Sequence, residues 1–190
     1  MRRILLALAF LSLSACATDP IINGVPNLRE VRAGYFRSGQ PEATDTAWRF
    51  LAAQKITDVI KLNFSHESQA SADEATVASR FGIKVHDLAI NPTSSVWRAL
   101  LSFGMTEVLR PNSEVMAKIK ALIVEAKTDG RKRVFLIHCT HGWDRTGLVS
   151  GMVLVTNGDM SKDEAWRYMV FSDFHRAHIG LLREWRAFEP

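Results

Sequence analysis

The sequence predicts an α/β fold, a central and mostly parallel sheet flanked by helices. Three observations carry that expectation. Apolar runs of strand length alternate with helix-length amphipathic segments, the pattern that crossover-connected parallel strands leave in a chain. The stretch Arg133 to His138 (RVFLIH) is almost continuously apolar, as a strand buried on both faces must be. Composition is that of a globular protein, 47% hydrophobic and 23% charged over 190 residues, with no low-complexity segment and no internal repeat. That length suits one domain with a substantial core.

The N-terminus stands apart from this pattern. Met1-Arg2-Arg3 is a short basic start and Ile4 to Leu13 is an almost unbroken apolar run. The run is far shorter than the roughly 20 residues that cross a bilayer, so it reads as a secretory signal and not a span. Leu13-Ser14-Ala15-Cys16 resembles a bacterial lipobox, in which the cysteine is acylated and becomes the mature N-terminus. The expected organisation is therefore a signal peptide over 1–15, a tether over 16–27 and one folded domain over 28–190. Cys16 is the expected lipid attachment site. Ala17 follows it where no aspartate stands, which by resemblance to enterobacterial lipoproteins implies the outer membrane and an extracytoplasmic domain.

The other elements follow in order. Asp19-Pro20, Asn23-Gly24 and Pro26-Asn27 punctuate the expected tether. Leu28 to Ser38 reads as a short strand pair around Gly34. Thr44 to Gln54 is a helix capped near Thr44, Thr57 to Leu62 a strand, and Ser71 to Phe81 a helix closed by Gly82. Ile83 to Ala89 is a strand. Residues 90–112 are irregular, with a short helix expected from Ser95 to Phe103; a stretch this long inside a compact domain is often functional. A helix runs from Ser113 to Lys127, then the RVFLIH strand, then a helix from Thr146 to Thr156. Ser161-Lys162-Asp163-Glu164 is a capping box opening another helix, and a last helix covers Phe174 to Phe188.

Charge excludes little. The chain carries 24 basic and 20 acidic residues; removal of 1–15 takes away Arg2 and Arg3 and no acid, leaving a net charge of +2. A nucleic-acid partner is not expected. Cysteine usage says more. With Cys16 lipidated, Cys139 has no disulfide partner, and a lone thiol in an oxidising compartment needs a reason.

Cys139 sits where strands of such a sheet end and ligands bind. The loop from Cys139 to Arg145 leads into a helix N-terminus, whose free N–H groups and dipole form a cradle for anions. A cysteine there is favoured as the thiolate, the nucleophilic form. Arg145 offers a planar fork for two phosphate oxygens. Gly142 permits a turn that a side chain would block. The Thr146 hydroxyl can donate to the sulfur, and Thr140, His141 and Trp143 complete the loop as candidate substrate contacts. Trp143 is a candidate pocket wall, as is Trp97; Trp48, Trp166 and Trp185 belong to the core. A zinc site from His138, Cys139 and His141 is a poor fit, because adjacent His and Cys do not converge on one ion and no fourth ligand is evident.

His138 to Gly147 (HCTHGWDRTG) resembles the HC-x5-R-[ST]-G signature of the protein tyrosine phosphatase superfamily. YFRSGQP (Tyr35 to Pro41), ITDVIKLN (Ile56 to Asn63) and GLVSGMVLV (Gly147 to Val155) are similar to bacterial dual-specificity-like phosphatases, and the likeness covers most of residues 30–188. It implies a dual-specificity-phosphatase-like fold, a phosphocysteine intermediate on Cys139 that water hydrolyses, and no metal or other cofactor. His138 would buttress the loop and His141 would face the substrate mouth. Three residues compete as general acid. GWDRT is similar to the myotubularin phosphoinositide phosphatases, which implies Asp144. Glu107 and Asp87 are the alternatives, mapped from the mobile acid-bearing loop of dual-specificity enzymes.

The expected activity is phosphomonoester hydrolysis, leaning to inositol (poly)phosphates. The alternative is a tyrosine or dual-specificity protein phosphatase, and a different-class rival is a phosphate-binding pseudophosphatase. The expected partners are thus a phosphorylated small molecule or phosphoprotein, and a membrane reached through the lipid anchor.

Overall fold

The structure, a computed structural model, describes residues 20–92, 112–130, 132–176 and 178–190. Cys16, Trp97, Glu107 and the short helix expected between Ser95 and Phe103 lie outside these residues. Among the described residues no helix is long and apolar enough to cross a membrane.

The expected tether is packed structure from Pro20 onward. Strand β1 (Ile21–Ile22) pairs antiparallel with β2 (Val25–Pro26), and Val25 is fully buried. Asn23 and Gly24 both take positive φ, 51° and 79°. An Asn-Gly pair with that geometry is the two-residue hairpin turn, so the same dipeptide that punctuates a linker here reverses a ribbon.

A five-stranded mixed sheet follows, in the order β3-β4-β7-β5-β6. Strands β3 (Arg29–Arg32) and β4 (Tyr35–Ser38) pair antiparallel around Gly34; β4, β7 (Phe135–His138), β5 (Asp58–Lys61) and β6 (Lys84–Asp87) run parallel. The most apolar strand, β7, is central and every one of its residues is buried. Its side chains alternate between faces, as the two-residue period of a strand requires. Phe135 and Ile137 enter one core with Ile60, Ile119, Leu148, Met152 and Trp185; Leu136 enters the other with Val59, Trp48, Leu51 and Val77.

Helices α1 (Asp45–Ala53) and α2 (Gln69–Ser79) supply the second core, while α3 (Ser113–Thr128), α4 (Asp144–Thr156), α5 (Lys162–Phe171) and α6 (Ile179–Ala187) supply the first. The caps follow the sequence: Thr44 Oγ1 accepts the Ala47 N–H, and Ser161 and Glu164 form the reciprocal box. Three boundaries differ from expectation. Helix α2 starts two residues early because Ser68, not a later residue, caps it. Helix α4 starts at Asp144, which puts Asp144 and Arg145 in its first turn. The last helix starts at Ile179 and not Phe174. Asp173 takes φ 66°, and Phe174 plugs the core edge-on to Trp166, so residues 174–176 are a pinned, non-helical stretch.

Trp48 is the largest fully buried side chain among the described residues, and its Nε1–H donates to the Glu42 carbonyl at 3.0 Å. Trp48→Ala is expected to cost about 3–5 kcal/mol. A lowered urea midpoint with an unchanged slope is the expected readout; an unshifted midpoint contradicts this packing.

Candidate active site

Sheet topology puts Cys139 at the carboxyl end of the central strand and α4 directly beyond it. Cys139 is 4% exposed and is a free thiol. Between them the loop doubles back at Gly142, φ 80°. A Cβ there would lie 2.6 Å from the Gly39 nitrogen and from the Ser38 carbonyl, all backbone atoms, so only glycine fits. The loop is strapped to β4 from several sides. Arg37 Nη2 donates to the Gly142 carbonyl at 2.6 Å and to the Ser172 carbonyl at 3.2 Å, and the Gln40 N–H donates to the Thr140 carbonyl at 3.1 Å.

Beneath the loop lies a buried polar network. His138, fully buried, meets Glu74 of α2, Nε2 to Oε1, at 2.7 Å. Glu74 also accepts from Gln40, and Asn63 donates to Gln40 and to Ser71. His138 is thus a support for the loop, and its Nε2 is committed to Glu74 and not to an ion beside Cys139.

Arg145 is 8% exposed, and its guanidinium is already engaged. Nη1 and Nη2 grip the two carboxylate oxygens of Glu67 at 2.6 and 2.8 Å, Nη1 reaches the Leu62 carbonyl at 3.2 Å, and Nη2 reaches the Thr140 hydroxyl at 3.1 Å. The Thr140 hydroxyl in turn donates to Glu67. Burial opposes the charge on Arg145, but the hydrogen bonds to Glu67 and the negative charge at Cys139 and Glu67 outweigh it and raise its pKa above the ordinary arginine value. Burial likewise opposes the charge on Glu67; hydrogen bonds from Arg145, Thr140 and the Phe64 N–H outweigh it and lower its pKa to about 2.

A cavity of about 290 Å³ opens over the sulfur, lined by Pro92, Cys139, His141, Trp143, Asp144, Arg145, His175 and His178. One wall is a run of rings: His141 stacks on Trp143 at 5.4 Å, Trp143 meets His175 at 5.8 Å, and His175 meets His178 at 6.2 Å between centroids. Asp144 accepts the backbone N–H of His175, and its carboxylate lies 3.1 Å from His175 Nδ1 and 3.3 Å from His178 Nε2.

The structure therefore brings Cys139, His141, Trp143, Asp144 and Arg145 around one cavity, with Thr140 and Gly142 shaping the loop. Thr146 is different from expectation. Its hydroxyl is buried and makes no hydrogen bond, to the sulfur or otherwise. Asp87 is not brought to Cys139. It pairs with Lys61 at 2.8 Å and lines a separate cavity of about 1090 Å³ whose walls include Asn91 and Asn112, either side of residues outside the description. Sequence reasoning missed Glu67, Arg37, His175 and His178. Glu67 and Arg37 are single charged residues far from the loop in sequence. The histidine pair was hidden inside an expected helix, although the i, i+3 spacing in FHRAHIG was visible.

A family model described as the tyrosine phosphatase family matches residues 22–178. The chain belongs to the tyrosine phosphatase family. It is a phosphatase built on a reactive cysteine. Its fold is similar to that of TpbA from P. aeruginosa, at 16% identity and a TM-score of 0.60, covering 90% of this chain and 89% of that one. Tk-PTP in its active form is similar at 19% identity and a TM-score of 0.61, covering 86% of this chain and 99% of that one. A TpbA variant in complex with pTyr matches at 17% identity and a TM-score of 0.54, covering 85% of this chain and 82% of that one. No curated protein sequence matches the phosphatase.

The Glu67 contact gives the fold an acid limit. Its folded-state pKa of about 2 lies below the ordinary 4.5, so the pairing stabilises the phosphatase fully above about pH 4.5 and is lost as pH falls towards 2. In Glu67→Gln that limb of the stability–pH curve is expected to flatten. A curve of unchanged shape between pH 4.5 and 2 would show that Glu67 is not the group responsible. Gly142→Ala is expected to remove phosphate binding while the fold persists, read by vanadate titration alongside circular dichroism; tight vanadate binding in that variant contradicts the backbone contact at Ser38.

Proposed function

We propose that this phosphatase is a lipid-anchored, extracytoplasmic phosphomonoesterase that hydrolyses inositol (poly)phosphates. The observation that carries the reading is one cavity holding a nucleophile, an anion clamp, a carboxylic acid and three imidazoles. In the first step the Cys139 sulfur attacks phosphorus; the S–P bond forms as the P–O bond to the leaving group breaks, and Asp144 gives its proton to the departing oxygen. In the second, water attacks phosphorus, the sulfur leaves as thiolate and Asp144 takes the proton back. The loop N–H groups hold the phosphoryl oxygens throughout, and the positive charge of Arg145, fixed beside them by Glu67, favours the dianion.

Asp144 is favoured as the acid because it shares the cavity with Cys139 and Asp87 does not. An alkoxide is a poor leaving group and needs that proton. His141 and the exposed ring of His175 suit a polyol with several phosphates, since both line the cavity beside the central clamp. Cys16 supplies the membrane attachment by resemblance to a lipobox, which places the catalytic domain outside the cytoplasm.

One observation favours a second reading, phosphotyrosine. The His141–Trp143–His175 wall is a surface on which an aryl ring stacks, and a neighbour of the same fold is known in complex with pTyr.

A phosphate-release panel of inositol hexakisphosphate, phosphoinositides and a phosphotyrosine peptide separates the readings. Faster release from inositol phosphates is expected; a phosphotyrosine peptide turned over much faster than any inositol phosphate overturns the preference. Cys139→Ser is expected to abolish turnover yet bind vanadate, since the cradle and Arg145 remain. Asp144→Asn is expected to slow alkyl phosphates by about 10²–10⁴-fold and aryl phosphates far less, because a phenolate leaves with little help. Equal losses on both would make Asp144 structural.

Anchoring is tested apart from chemistry. Wild-type protein is expected to label with palmitate and to fractionate with membranes, and Cys16→Ala to do neither. One acyl chain holds only weakly, so stable attachment implies the multiple acylation of a bacterial lipoprotein. An unlabelled wild type replaces the anchor with a cleaved, freely soluble form.

A further inference from the structure

The cluster at the rim of the cavity holds more than a carboxylate and two neighbouring rings. We infer that Asp144, His175 and His178 form a binding site for a divalent transition metal ion of zinc type, and that its occupancy withdraws Asp144 from catalysis. The first half stands on the geometry alone; the second rests on the reading of Asp144 as the acid.

The three ligand atoms lie within 4.8 Å of one another. Around tetrahedral zinc with bonds of 2.0–2.1 Å, two ligand atoms stand roughly 3.3 Å apart. Asp144 Oδ2 meets His175 Nδ1 at 3.1 Å and His178 Nε2 at 3.3 Å. Two of the three edges thus already have the length that coordination demands, and the third, between the two imidazoles, is no longer than 4.8 Å. Two imidazoles and a carboxylate are a ligand set typical of zinc with one position left open.

The scaffold behind the ligands is fixed from several directions. Asp144 is held by the first turn of α4 and by the His175 N–H. The two histidines are brought together by a turn in which the His178 N–H donates to the His175 carbonyl at 3.2 Å. That turn is pinned by buried Phe174 and by Arg37, which reaches the Ser172 carbonyl. Ligands so oriented lose little freedom when an ion binds. Access is open, since His175 is exposed and all three residues line the cavity over Cys139.

A bound ion takes the carboxylate as a ligand, and a coordinated carboxylate has no proton to give. Metal binding should therefore slow alkyl phosphates, which need the proton, far more than aryl phosphates. The Cys139 thiolate is a rival ligand in the same cavity, so binding is best measured without it.

Cobalt(II) titrated into full-length Cys139→Ser is the direct probe. One site with the visible bands of tetrahedral cobalt is expected, displaced by zinc. Adding His175→Ala or His178→Ala to that variant should weaken binding by more than roughly 100-fold, beyond the usual loss for an outer-sphere partner. Adding His141→Ala should leave it unchanged. Loss of binding in Cys139→Ser itself, or equal weakening by His141→Ala, overturns the site. In wild type, zinc is expected to depress alkyl phosphate turnover by about 10²-fold or more with a much smaller effect on aryl phosphate. His178→Ala identifies the part of the inhibition that comes from this site and not from zinc on Cys139; if the part it relieves is equal for both substrates, with histidine-dependent cobalt binding intact, the withdrawal of Asp144 is overturned and the ion site stands.

Discussion

A buried guanidinium is the constraint on which the rest of the site depends. Arg145 must stay charged to hold a phosphoryl dianion, yet it lies in the first turn of a buried helix with almost no water contact. A charge so placed is tolerated only with its hydrogen bonds filled. Glu67 fills two of them through a carboxylate fork, the Leu62 carbonyl another, and the Thr140 hydroxyl a fourth. Leu62 and Glu67 come from just past the end of β5 and the short turn after it, and Thr140 from the nucleophile loop itself. The β5–β7 pairing, Lys61 against His138, is therefore what sets Glu67 opposite Arg145. Register of the sheet becomes geometry of the site.

The loop answers to the same requirement from the opposite side. Its amides can converge on an anion only if the backbone turns tightly, and the turn is made at Gly142 against Ser38 and Gly39. Arg37, one residue earlier on β4, fastens the Gly142 carbonyl and also the Ser172 carbonyl at the end of α5. One side chain thereby couples the nucleophile loop to the loop that carries His175 and His178. A buried network of His138, Glu74, Gln40, Asn63 and Ser71 replaces what would otherwise be an apolar floor. Its bonds tie β7, β5 and α2 together under the loop, while His138 Nδ1 and Asn63 Oδ1 are buried without a hydrogen-bond partner.

How much of this could be read from the sequence depends on the range of the interaction. The fold class, the central strand and the Cys139–Arg145 loop are local signals: an apolar run, a glycine, a fixed spacing. His138 as a buttress followed from its place in the motif. Partners that meet only through tertiary structure left no such trace. Glu67 and Arg145 are 78 residues apart, and Arg37 and Gly142 are 105 apart. The hairpin at Asn23-Gly24 and the loop at Phe174 were misread because the same residues suit two structures, and packing of Val25 and Phe174 decided between them. The Thr146 hydroxyl, expected to donate to the sulfur, is buried without a hydrogen-bond partner.

The position of Asp144 bears on how the site works as a whole. An acid borne on a separate segment must be carried into place in each turnover, so that its motion enters the rate. Asp144 adjoins Arg145 in the first turn of α4, and the His175 N–H fixes its carboxylate. With Asp144 as the acid, nucleophile, clamp and proton donor all belong to one seven-residue stretch, and their mutual geometry is set when the sheet and α4 assemble. The same rigidity makes the carboxylate a ready ligand. A group held at one point, between two imidazoles, is as well placed to meet a metal ion as a leaving oxygen, and the two compete for the same lone pairs. Proton transfer and ion capture are then alternative uses of one preorganised carboxylate, with the surrounding metal concentration deciding between them.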